Sequence, residues 1–237
     1  MFKGQDIIKE NINENSEKAF LSYMSHRIRT PLNSIIGFSK LLLNQDIDAQ
    51  KNKEFARRIL ESGYEILQYF ENILDLADME TGMVIPNSRE ITLSQFLSGI
   101  VEEYSTRFQI DKSVHIKMTN LQEHSAKSVF VDEFILKRIV TNMIELLQNA
   151  LKDGEIVIRY AVEDDLIRID VEGRAQLTEQ NDFLVLDDTM QSYDQDSLEY
   201  LAYRAVKELT HILHGEFKIE KQYKRGIGLR VLIPQQL

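Results

Sequence analysis

The residues best placed to do chemistry lie in one run, Ser25-His26-Arg27-Ile28-Arg29-Thr30-Pro31-Leu32. A neutral imidazole is a nucleophile and a base near neutral pH, so the question for His26 is whether a partner can reach it. At about 100° per residue His26 sits on the far side of a helix from Met24 and Ile28, which predicts a ring projecting into solvent. Thr30, four residues on, falls on the same face. Pro31 removes one helical hydrogen bond and crowds the preceding turn, so the helix is expected to kink or loosen there. An exposed helical histidine by itself is ordinarily a surface residue; what surrounds it has to decide.

Two helical stretches position this run. From about Asn15 to Leu43 the stripe Phe20, Met24, Ile28, Leu32, Ile35, Ser39 and Leu42 advances by threes and fours. From about Gln50 to Met79 the stripe Phe55, Ile59, Ile66, Phe70, Ile73 and Ala77 repeats the device, after an Asn-Gln-Asp-Ile-Asp-Ala connection suited to a turn. Two helices cannot enclose their own apolar stripes, so the all-α hairpin is expected to pair with a second copy as a four-helix bundle, making the protein a homodimer.

Glycine and proline in Thr81-Gly82-Met83-Val84-Ile85-Pro86-Asn87-Ser88 then break the periodicity. The texture beyond is α+β. Leu93–Phe108, Asp132–Lys152 and Ser197–His214 read as helices, and Val114–Met118, Glu155–Tyr160, Leu166–Val171, Phe217–Ile219 and Leu229–Ile233 read as strands. The expected layout is a hairpin over 1–82, a linker over 83–90, and over 91–237 helices on one face of a mostly antiparallel sheet.

The run Ser-His-x-x-Arg-Thr-Pro-Leu-Asn, preceded by Phe20-Leu21-x-x-Met24 and followed by Ile36-Gly37-Phe38, resembles the phosphoacceptor box of sensor histidine kinases. The resemblance implies that His26 accepts a phosphoryl group on a ring nitrogen and exchanges it with an aspartate of a receiver-domain protein, a response regulator or hybrid kinase. One position departs at once. The family has Glu or Asp directly after the histidine as hydrogen-bond partner and general base; here stands Arg27, and a cation cannot accept that proton. Thr30 matches the position that orients water for dephosphorylating the receiver. Arg27 and Arg29 are candidates to attract the acidic face of a receiver, with solvated helix charges as the plain alternative.

The second half resembles the GHKL-type ATP-binding domain of the same kinases, a sandwich in which a helix offers asparagines to magnesium-triphosphate and glycine turns close around the nucleotide. Counting from Asp132 without gaps, Leu136, Ile139, Asn142 and Gly154 fall on family positions, and the magnesium-ligand asparagine becomes Leu146. A second register takes Glu145 as base and Asn149 as metal ligand, at the cost of three extra residues before the box. The glycine turns are the more damaged part. The family's Asp-x-Gly-x-Gly becomes Gly173, Ala175 and Leu177, leaving no adenine-reading carboxylate unless Asp170 or Glu172 substitutes. Its Gly-x-Gly-x-Gly becomes Glu199, Leu201 and Tyr203, putting side chains where backbone N–H groups would approach phosphate. Gly226-Ile227-Gly228 reads as a β-turn of the final hairpin.

The expectation is therefore a degenerate histidine kinase acting as a phosphotransferase, with no cofactor and no metal. Under the alternative, an active kinase, Asn142, Glu145 and Asn149 would hold Mg-ATP; a third reading is a noncatalytic receiver-binding module. His211 and His214 share a helix face, but no third ligand completes a metal site. Composition trims the other classes. The 38 acidic against 28 basic side chains leave a net charge of −10, which disfavours nucleic acid and anionic membranes. With no cysteine, thiolate chemistry is excluded. No apolar run approaches the roughly 20 residues that span a bilayer, so a cytoplasmic protein, or the cytoplasmic part of a larger sensor, is expected.

Overall fold

A computed structural model describes residues 25, 27–43, 48–80, 85–107, 114–121, 127–151, 154–174, 198–222 and 226–235. The chain divides into two compact units, Met1–Glu71 and Asn72–Leu237, with the division falling inside the second helix.

The first unit is built on the expected hairpin. Helix α1 runs over residues 27–42 and α2 over Ala49–Glu80. Asp48 starts α2: its Oδ1 accepts from the N–H groups of Gln50 (3.0 Å) and Lys51 (2.9 Å), satisfying donors that a first turn leaves orphaned. The Lys51 N–H in particular holds the Asp48 carboxyl below the usual aspartate range. Phe38 on α1 meets Phe55 on α2 with ring centroids 5.6 Å apart, which fixes the antiparallel register. Residues 27–42, Pro31 among them, are continuously helical, and Pro31 is buried.

In the second unit a five-stranded sheet has the order β2-β4-β5-β7-β6, formed by β2 (Val114–Asn120), β4 (Gly154–Glu163), β5 (Leu166–Arg174), β6 (Glu216–Gln222) and β7 (Gly226–Pro234). All its pairings are antiparallel except β2 with β4. That exception follows from connectivity, because the chain returns beside β2 only after a helical crossover. Helices α3 (Leu93–Arg107), α4 (Glu133–Ala150) and α5 (Leu198–Ile212) pack on one face. Strand alternation sends Ile156, Ile158, Ile167, Ile169, Val171, Leu229 and Val231 into that core, against Leu136, Ile139, Met143, Ile144 and Leu147 of α4.

Two four-residue strands, β1 (Arg89–Thr92) and β3 (Ser128–Val131), pair antiparallel as a separate small sheet that the sequence reading missed. Asp132 ties this corner together. Its Oδ1 accepts from the Ile135 N–H (2.9 Å) to cap α4, and its Oδ2 accepts from the Asn87 N–H (2.7 Å) of the segment entering β1.

Local signals placed the turns. Asp164 adopts a left-handed φ of 52° between β4 and β5, a conformation Asp tolerates. At the end of α5, a Cβ on Gly215 would stand 2.5 Å from the Leu232 carbonyl oxygen, so only glycine lets the chain pass that close to β7. Gly226-Ile227-Gly228, expected as a turn, lies instead in β7 paired with β5 and β6.

Candidate functional site

His26 itself, and Phe20 and Met24 before it, lie outside the described residues. The residues around the histidine are described. Ser25, Arg29 and Thr30 are exposed, Arg27 is half-buried and Pro31 is buried. Thr30 thus occupies an accessible face one turn from position 26, as the spacing required. The two arginines separate. Arg29 points outward, whereas Arg27 lies within electrostatic reach of Glu65 on the facing helix. Partial desolvation raises the Glu65 carboxyl above the ordinary glutamate range, and the Arg27 charge opposes that rise. The cation beside the histidine therefore faces a carboxylate supplied across the hairpin, a pairing that no local motif could reveal.

In the second unit the three positions carried by α4 fare differently. Asn142 is 3% exposed; its Nδ2 donates to the Arg138 carbonyl oxygen (2.9 Å), and its Oδ1 has no partner. Leu146, which takes the magnesium-ligand position in the ungapped register, is fully buried in the core. Glu145 is half-buried, and the side chain of Asn149 lies outside the described part.

The carboxylates considered as adenine readers are on the wrong side. On β5, Ile169 and Val171 point into the core, so Asp170 and Glu172 occupy the opposite face of the sheet, away from α4. There they are tied into ion pairs. Asp170 accepts from Arg168 Nε (2.9 Å) and Arg230 Nε (2.5 Å), and Glu172 from Arg159 (2.6 Å) and Arg174 (3.1 Å). Arg230 also contacts Glu220 on β6. Both acids are nearly buried, at 4% and 6% exposure, beneath the arginines that pair them. Both acids are thus engaged by arginines on that face of the sheet.

Gly173, at the position of the family's adenine carboxylate, is buried under leucines. A Cβ there would stand 3.1 Å from Leu151 Cδ1 and 3.5 Å from Leu147 Cδ2. At the phosphate-turn positions, Glu199, Leu201 and Tyr203 all lie within α5; Leu201 is buried, and the Tyr203 ring packs edge-on against Phe217 with centroids 5.8 Å apart. Ala175, Leu177 and the segment holding Phe183-Leu184-Val185-Leu186 and Asp187-Asp188 lie outside the described residues. Among the described residues no cluster of three His, Asp or Glu side chains is arranged to hold a metal, and no helix is long and apolar enough to cross a membrane.

A helical hairpin with a Ser-His-x-x-Arg-Thr-Pro-Leu box, followed by an α+β unit with three helices on one sheet face, defines the class as the sensor histidine kinase architecture. Comparison with known proteins gives the same answer. Residues 16–82 match the His Kinase A (phospho-acceptor) domain, and the chain is a relative of the sensor histidine kinases of two-component signalling. It is 28% identical over 232 residues to the circadian input-output histidine kinase CikA of Synechococcus elongatus, covering 92% of this chain and 30% of that protein. The chain spans 30% or less of the length of the first curated relatives it matches.

Two solved structures share the fold. One is histidine kinase ThkA in complex with the response regulator protein TrrA (TM-score 0.61, 16% identity, 100% of this chain and 67% of that one). The other is a bacterial phosphotransferase (TM-score 0.54, 14% identity, 90% of this chain and 93% of that one).

Proposed function

We propose that this protein is a phosphorelay component in which His26 exchanges phosphoryl groups with the aspartate of a receiver domain, a response regulator or hybrid kinase, and that it does so without ATP. A neutral ring nitrogen of His26 attacks the phosphorus of the receiver's aspartyl phosphate. The N–P bond forms, the P–O bond to aspartate breaks, the aspartate leaves as carboxylate, and the other ring nitrogen gives up its proton. The reverse transfer returns the phosphoryl group to a receiver. The carrying observation is Arg27, a cation in the place of the base that autophosphorylation uses, set against Glu65 while Thr30 faces solvent.

The second unit supports the same reading, since Gly173, Leu146, Leu201 and Tyr203 do not make a cradle for magnesium-triphosphate. In this reading the unit serves as a scaffold rather than as a nucleotide site. The half-open apolar positions of α1 and α2 support assembly as a homodimer, and the exposed Arg29 is a contact for the acidic face of the receiver.

The test is transfer of label from a phosphorylated receiver domain to the purified protein and to its His26→Gln variant. Label is expected on the parent and none on the variant; equal labelling of both would refute the assignment of His26. One observation favours a second reading, a kinase with a divergent nucleotide site: the partnerless buried Oδ1 of Asn142, a residue that with Glu145 belongs to the alternative ligand set. Calorimetric titration with magnesium-ATP separates the two, since heat of binding is expected only for the kinase.

A further inference from the structure

At the place where the family resemblance puts the adenine carboxylate, the chain has a packed apolar interior, and this interior has its own sequence logic. Gly173 sits on β5 paired with Ile156 of β4 on one side and Ile227 of β7 on the other, both buried. Above it lie Leu147, fully buried in the last turn of α4, and Leu151, the residue that ends that helix.

Leu151 is held in place by the backbone. It adopts an extended conformation (φ −103°, ψ 133°), and its N–H donates to the carbonyl oxygens of Leu147 and Gln148. Its side chain reaches down to Gly173, where a Cβ would come within 3.1 Å of Leu151 Cδ1 and 3.4 Å of Leu151 Cδ2. Those contacts are tighter than a Cβ normally makes, and the isoleucines on both flanks leave little room to shift.

We infer that Gly173, Leu147 and Leu151 form a matched packing unit that has replaced the adenine side of the nucleotide cleft, so that this part of the domain is committed to its own core. The inference rests on the proposed ATP-independent reading and adds a physical cause to it. An aspartate at 173 would meet the Leu147 and Leu151 side chains above and a buried isoleucine on either side. A buried carboxylate without a partner is among the costliest single insertions a core can suffer. Loss of the carboxylate and gain of the leucine cover are therefore coupled. Restoring the acid alone cannot restore the cleft.

The test has two arms on the full chain. In the first, melting temperature is followed with magnesium-ATP and with magnesium-ADP at millimolar concentration. No shift is expected; a rise of several degrees with either nucleotide would overturn this inference and the ATP-independent reading together. In the second, Gly173→Asp, Leu151→Ala and the double variant are compared. Gly173→Asp is expected to lower the melting temperature by on the order of 10 °C, and adding Leu151→Ala is expected to recover part of that fall although Leu151→Ala alone lowers it.

Gly173→Ala, with the smaller 3.1 Å conflict, keeps the comparison measurable if the aspartate variant does not fold, and its cost is likewise expected to shrink beside Leu151→Ala. Strictly additive effects at the two positions, or a Gly173→Asp variant as stable as the parent, would overturn the packing unit while leaving phosphoryl exchange at His26 untouched.

Discussion

The hairpin and the sheet unit handle apolar surface in opposite ways. In the sheet unit the alternating strand residues and the inner stripe of α4 vanish into one core: Ile139, Met143, Ile144, Ile158 and Ile169 have no exposed surface left. In the hairpin, leucines on the same kind of stripe stay open, with Leu60 at 56% and Leu67 at 45% exposure. One unit buries its apolar stripes within a single chain; the other leaves part of them open. The difference teaches where each kind of conservation of structure is spent. The sheet unit buries Leu146 and Leu201 within its core, whereas the hairpin leaves Thr30 exposed and several leucines open.

The largest expected effect follows from the completeness of the sheet core. Ile158→Ala removes buried methyl groups from the middle of β4, and urea unfolding should show a loss of about 2–5 kcal/mol in the transition of that unit. A loss below about 1 kcal/mol would mean that the core is looser than its burial implies. Next comes the hairpin's incompleteness. Leu60→Glu combined with Leu67→Glu puts charges on the open stripe of α2, and sedimentation analysis should show the dimer weakened by about 100-fold or more, roughly 2.7 kcal/mol. An unchanged association constant would mean that this stripe is not the dimer surface.

A smaller effect is expected at the corner where the chain enters the sheet unit. Asp132→Ala leaves the N–H groups of Asn87 and Ile135 without their acceptor, at a cost of about 1–3 kcal/mol by denaturant titration. Asp132→Asn, which keeps an oxygen in place, should cost less.

The smallest effect sits in the hairpin. The folded-state pKa of Glu65 is raised, so the folded hairpin holds a proton that the unfolded chain gives up more readily. The stability from this group is therefore full below the pKa of an unfolded glutamate and declines as pH rises through the raised folded value. Glu65→Gln should stabilise the hairpin slightly at neutral pH and make no difference at low pH. A variant less stable than the parent at neutral pH would show instead that the attraction to Arg27 outweighs the desolvation.

Much of this architecture was readable in the sequence because the relevant signals are local and long. The helical patterns of α2 and α4 are long and the alternations read at Glu155–Tyr160 and Leu166–Val171 cover six residues each, and the structure places those elements within a few residues of the periodic pattern. The misses have a common cause. Strands β1 and β3 are four residues each and exist through their pairing with one another, about 40 positions apart, so neither carries enough period to stand out.

The glycines of β7 looked like a turn because composition alone reads Gly-x-Gly as punctuation; its pairing on both sides overrides that. At the candidate site the box around His26 was legible as a motif, but the approach of Glu65 to Arg27 was not, since it depends on hairpin register. Nor could sequence tell which face of β5 Asp170 and Glu172 would take relative to α4, or that Leu151 would settle over Gly173.

The account turns on where the phosphoryl group on His26 comes from. Intact-mass spectrometry of the same preparation, after incubation in parallel with magnesium-ATP and with a phosphorylated receiver domain, decides it in one measurement. The prediction is a single added phosphoryl group, lost in acid and absent from His26→Gln, after exposure to the receiver and none after exposure to ATP. The reverse pattern, phosphorylation of His26 by ATP and none from the receiver, would contradict it.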